Sequence, residues 1–144
     1  MNEVPTRRDI LALSAAAPAL QAAPRTPDLQ KLIDAAATHG GGTVLVPPGR
    51  HVTGTLILRS NVRLWLEPGA VIEGSRNLAD YKVLAGPVRG YTDNYTDKSL
   101  IHAEDAANVS IEGRGTIDGQ GAAFKGPYKV RPYMIRMIRC RDVS

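Results

Sequence analysis

Residues 125–142 carry six basic side chains, Lys125, Lys129, Arg131, Arg136, Arg139 and Arg141, against one acid, Asp142. A guanidinium pairs with a carboxylate through two parallel N–H donors, so this stretch suits an acidic ligand. If Ile135 and Met137 face a core, strand alternation turns Arg136 outward. Arg131, Tyr133 and Arg136 place two cations and an aromatic ring on this stretch. The competing reading is an ordinary solvated basic face. Other chemistries find less support. His39, His51 and His102 show no metal-ligand spacing, and the single cysteine, Cys140, adds no second ligand. Neither a metal nor a cofactor is expected. The histidines read as turn or surface residues, and Cys140 as a packing residue in a strand. Gly113-Arg114-Gly115 is not followed by a helix or by Gly-Lys-Ser/Thr, so it is no phosphate loop. Asp118, between Ile117 and Gly119, reads as a turn-capping carboxylate. The formal net charge of +4 selects no partner by itself, and nucleic acid is not expected.

These residues sit on a chain that repeats itself. Asn61-Val62-Arg63-Leu64 recurs as Asn108-Val109-Ser110-Ile111 and again as Asp142-Val143-Ser144. Val71-Ile72-Glu73-Gly74 recurs as Thr116-Ile117-Asp118-Gly119, and Leu100-Ile101-His102-Ala103 is matched by Met134-Ile135-Arg136-Met137. Short apolar strands between Gly or Asn turns, repeated irregularly, predict an all-β solenoid of stacked parallel strands. The 14 glycines, 10 prolines and 5% aromatics agree with many short strands rather than a helical bundle. Strands are expected over residues 43–46, 54–58, 62–66 and 70–73, with Asn61 and Asn108 in left-handed turns. Residues 76–98 break the rhythm and read as one inserted loop, holding Tyr81, Tyr91 and Tyr95. The coil at residues 133–144 has no following partner in the sequence, so Ile135, Met137 and Val143 are expected to expose apolar surface.

A short helix precedes the strands. Thr26 is its expected cap, Pro27 its first residue, and Asp28 suits the positive end of the dipole. Leu29, Leu32, Ile33 and Ala36 form one apolar stripe that would cover the open end of the solenoid. Residues 1–23 read as an export signal. Arg7-Arg8 stands before a mildly apolar stretch rich in small residues, too short to span a bilayer comfortably. The pattern resembles a twin-arginine signal, which implies the twin-arginine export machinery as a partner and a periplasmic or extracellular location. Residues 24–144 then form the solenoid domain.

Four strings together resemble glycoside hydrolase family 28, the polygalacturonases and their relatives. They are Gly40-Gly41-Gly42-Thr43-Val44-Leu45-Val46-Pro47-Pro48-Gly49, Asn61-Val62-Arg63-Leu64-Trp65-Leu66-Glu67-Pro68-Gly69-Ala70, the run from Asn108-Val109-Ser110 through Gly115-Thr116-Ile117-Asp118-Gly119-Gln120-Gly121, and Arg131-Pro132-Tyr133-Met134-Ile135. The resemblance implies the N-terminal coils of a right-handed parallel β-helix with a capping helix. It also implies inverting hydrolysis of pectic galacturonan, an acidic polysaccharide, by a protein that is monomeric at full length. On that reading Arg131, Tyr133 and Arg136 edge a sugar cleft. Inverting hydrolysis needs one carboxylic acid for the leaving oxygen and one carboxylate for water on the opposite face. The family supplies them from Asn-x-Asp and Asp-Asp segments, with Gly-His-Gly and Arg-x-Lys beside them. None of the four is present here. Asn94-Tyr95-Thr96-Asp97 is one residue too long, and Glu104-Asp105 is the nearest acidic pair. No catalytic residue carries over, so the chain alone is expected to be inactive, a truncated part of the enzyme. The rivals are a pectate-lyase or epimerase-like β-helix, and a non-catalytic carbohydrate-binding β-helix.

Overall fold

The computed structural model describes residues 27–84, 96–126 and 130–144. The expected signal with Arg7 and Arg8, the expected cap Thr26, and Tyr91, Tyr95 and Lys129 lie outside the described residues.

The helix α1 (Leu29–Thr38) starts two positions later than expected. Asp28, not Thr26, is its cap, and its carboxylate accepts the Lys31 backbone N–H at 3.2 Å. An aspartate in extended backbone satisfies an otherwise orphaned donor, which leaves Pro27 outside the helix. Leu29 and Ile33 are buried, with Ala36 and Ala37 packed against the same core. Leu32 is 41% exposed, so the buried stripe runs i, i+4, i+7, i+8 and passes Leu32 by. The helix closes a sheet edge as well as a core. The Gln30 amide accepts from the Ile57 N–H at 2.7 Å and donates to the Ile57 carbonyl at 3.1 Å. Both backbone groups of that strand are thereby paired where no neighbouring strand lies.

Ten strands follow: β1 (Gly42–Val46), β2 (Gly49–Thr53), β3 (Leu56–Ile57), β4 (Val62–Leu66), β5 (Ala70–Gly74), β6 (Ser99–Glu104), β7 (Ala107–Gly113), β8 (Thr116–Asp118), β9 (Tyr133–Ile138) and β10 (Arg141–Val143). They form three parallel sheets, ordered β1-β4-β7-β10, β2-β5-β8 and β3-β6-β9. Three successive coils each give one strand to each sheet and β10 adds a fourth to the first, so the chain winds as a parallel β-helix. The repeats seen in the sequence are the stacking registers. Leu64 lies over Val44 and under Ile111, Ile72 pairs with His51 and Ile117, and Ile101 pairs with Leu56 and Ile135. Alternation turns these side chains inward, and Leu64, Ile72 and Ile101 are fully buried. Where the stack ends, Ile135 is 44% and Val143 45% exposed, as expected, while Met137 is half-buried against the core.

Two features depart from the sequence reading. The strand β2 was not expected, because Arg50-His51-Val52-Thr53 has little apolar alternation; only His51 points inward. The expected strand over residues 54–58 pairs only at Leu56–Ile57. Thr55 instead cross-links coils, donating to the Ser99 carbonyl at 2.8 Å and accepting from Lys82 N–H at 2.9 Å.

The corner between sheets is built from left-handed residues. Asn61, Asn108 and Asp142 stack with φ of 62°, 55° and 53°. The Asn108 side chain donates to Asn61 Oδ1 at 3.1 Å, so each coil templates the next. Asparagine and aspartate tolerate this backbone better than other residues with a Cβ.

Candidate functional site

The expected binding residues divide between two places. Arg131 and Tyr133 line a groove of about 200 Å³ where the end of β8 meets the start of β9. Tyr81, Asp118, Gln120 and Phe124 complete its working wall. Arg136 is not among the lining residues. Its guanidinium stands 5.8 Å from the Tyr133 ring centroid, and Nη1 donates to the Leu84 carbonyl at 3.2 Å. Arg136 thus braces the ring from the outer face of β9. Arg131 is exposed and has no ion-pair partner among the described residues.

The groove wall is rigid for local reasons. Tyr81 ends a 3-10 turn (Leu78–Asp80), is buried, and donates its hydroxyl to the Ser75 carbonyl at 2.7 Å. Burial, then the neighbouring Asp80, pushes the Tyr81 phenol above its ordinary pKa, so it stays a neutral donor. Phe124 meets it edge to face, centroids 6.2 Å apart. Asp118 caps the turn as expected: its two oxygens accept from Gln120 N–H at 2.9 Å and from the Gln120 amide at 2.7 Å. The groove therefore offers aromatic edges and one uncommitted cation, since the Gln120 amide is held by Asp118 and, at its oxygen, by Arg76 at 3.0 Å. Its only carboxylate is held by a turn, so it is equipped to bind and not to transfer protons.

Carboxylates elsewhere are similarly engaged. Glu104-Asp105, the nearest match to an acidic pair, is clamped by Arg139 of the next coil, at 2.7 Å to Glu104. That clamp removes Arg139 from the free basic residues counted in the sequence. Glu73 pairs with Arg50, and Glu112 with Arg63 at 3.2 Å. No cluster of three potential metal ligands occurs among the described residues.

Two histidines depart from expectation. His39 is exposed at the helix end, donating to the Ala35 carbonyl. His51 and His102 are instead buried. His51 donates Nε2 to the Pro47 carbonyl at 2.7 Å, and its Nδ1 has no partner among the described residues. His102, on the outer face of β6, lines a cavity together with Leu84, with Ser99 and Glu104 each 3.5 Å from a ring nitrogen. Desolvation lowers its pKa below 6.5; Glu104 pulls it up and Arg136 pushes it further down. Because the folded pKa is depressed, the unfolded chain binds the proton more readily. Stability from this group is full above the unfolded pKa and falls as pH drops through and below it. Urea unfolding between pH 7.5 and 5.5 should therefore show a decline that His102→Gln flattens; equal slopes in both proteins would refute the assignment.

The sequence reading missed Phe124 and Gln120. Both sit in a polar, glycine-rich stretch with no periodicity, and only the return of the coil brings them beside Arg131.

Comparisons with known proteins agree with this architecture. No family model matches the chain. It is 38% identical over 104 residues, 67% of its length, to an exo-poly-alpha-D-galacturonosidase of Dickeya chrysanthemi. It is 41% identical over 76 residues, 51% of its length, to a polygalacturonase of Ralstonia solanacearum. It spans only 17% and 14% of those proteins' own lengths. Among solved structures, a candidate glycosyl hydrolase of Parabacteroides merdae superposes with a TM-score of 0.64 at 28% identity, over 79% of this chain and 51% of that one.

Proposed function

We propose, for a chain that is polygalacturonase-like in sequence and a parallel β-helix in fold, that it serves a glycoside hydrolase acting on pectic polysaccharide. The observation that carries the proposal is the likeness in sequence: relatives named for galacturonan cleavage share 38–41% identity over 104 and 76 residues of a chain that here folds as stacked parallel coils. The coils present the groove of Arg131 and Tyr133 as a place for an acidic sugar unit. Arg131 pairs with the sugar carboxylate, and Tyr133, braced by Arg136, lies against the ring. The acid and base of inverting hydrolysis come from residues outside those described. Export through the Arg7-Arg8 signal belongs to the same proposal, because a polymer outside the cell cannot be reached from the cytoplasm.

Affinity electrophoresis through polygalacturonate tests the binding half. Retardation should appear in polygalacturonate and not in a neutral polysaccharide. Arg131→Ala should weaken it by roughly three- to tenfold, the range for one partly solvated charge-assisted hydrogen bond. Undiminished retardation of Arg131→Ala would remove this groove from the proposal.

A further inference from the structure

We infer that Trp65 and Arg114 form a second binding site for the acidic sugar chain, on a different face from the Arg131 groove; the identity of the ligand rests on the function proposed above. On the outer face of the β1-β4-β7-β10 sheet, Leu45, Trp65 and Glu112 stack in one row. Leu45 is 55% and Trp65 36% exposed. An open groove of about 450 Å³ runs beside them, lined by Trp65, Leu66, Pro68, Glu112, Gly113 and Arg114.

Three observations point to an anionic, ring-shaped occupant. First, an indole face on a rigid strand offers a flat apolar platform, and its N–H has no partner among the described residues. Second, Arg114 is exposed and has no ion pair among the described residues, whereas Glu112 is already neutralised by Arg63 at 3.2 Å. The uncommitted charge at the groove is therefore positive. Third, Gly113 has φ +114°, and a Cβ there would overlap the Leu66 carbonyl. That close approach lets Arg114 N–H bond the Leu66 carbonyl at 2.9 Å, which fixes the arginine beside the tryptophan. A uronic acid unit has a C–H face for the indole and a carboxylate for the guanidinium. One polymer held at two faces is retained longer than at either, if its length spans them.

Trp65 is the only tryptophan in the chain, so its emission reports this site alone. The protein is titrated with galacturonate oligomers while tryptophan fluorescence is recorded, alongside neutral oligosaccharides of the same length. A saturable change with the acidic oligomers only is expected. Arg114→Gln should raise the midpoint roughly fivefold with the melt unchanged. Emission that stays flat while polygalacturonate still retards the protein overturns this site and leaves the proposed function standing. Equal responses to neutral sugars, or a change that follows protein concentration alone, also overturn it, the latter in favour of a second copy of the chain. If neither emission nor mobility responds to the acidic polymer, the proposed function falls too.

Discussion

Gly113→Ala is expected to lower stability by about 3–5 kcal/mol, from strain and steric overlap combined. Its φ of +114° is outside the range that alanine accepts without strain, and the new methyl would enter the Leu66 backbone one coil below. Relief requires β4 and β7 to separate, which breaks the stacking that defines the helix. Gly121→Ala is the control, since a Cβ there meets nothing within 4 Å and no left-handed φ is required. Urea unfolding should show a large drop in midpoint for the first variant and little for the second. Similar midpoints would mean that the coils are not packed this closely.

Leu64→Ala should cost about 3–4 kcal/mol, within the range for removing a fully buried leucine. Leu64 is completely inaccessible, on the second coil, with Val44 below and Ile111 above in register. Neither neighbour can move into the space without leaving its own ladder, so the cavity stays open. Leu32→Ala removes the same atoms from a partly exposed helix position and should cost well under half as much. Against the marginal stability of an ordinary domain, the core variant alone could leave much of the protein unfolded at 37 °C. A small effect at Leu64 would contradict the solenoid core.

The sequence made the coils legible because stacking repeats itself locally. Asn61, Asn108 and Asp142 announce a left-handed corner by residue type, and the alternation in Val62-Arg63-Leu64-Trp65-Leu66 states which side chains point in. The strand β2 stayed hidden because its inward row rests on His51, a polar residue in the core. The helix cap moved to Asp28 because local hydrogen bonding decides among several acceptable capping residues. Arg136 is half-buried rather than fully outward, and the count of basic residues overstated the free charge. Arg139 is neutralised by Glu104 and Asp105, more than thirty positions away, a pairing that only the coil register creates. The groove was half legible: Arg131 and Tyr133 follow from charge and pattern, whereas Tyr81 and Phe124 enter through irregular backbone.

The most direct measurement is to incubate the protein with polygalacturonate and follow, on one sample, polymer retention and release of reducing ends. The account predicts retention without release, because the groove's one carboxylate, Asp118, is held by Gln120 and the other acids nearest to a catalytic pair are held by Arg139. Reducing ends produced by this chain would contradict the absence of a working acid–base pair among the described residues, and no retention would contradict the polysaccharide reading itself.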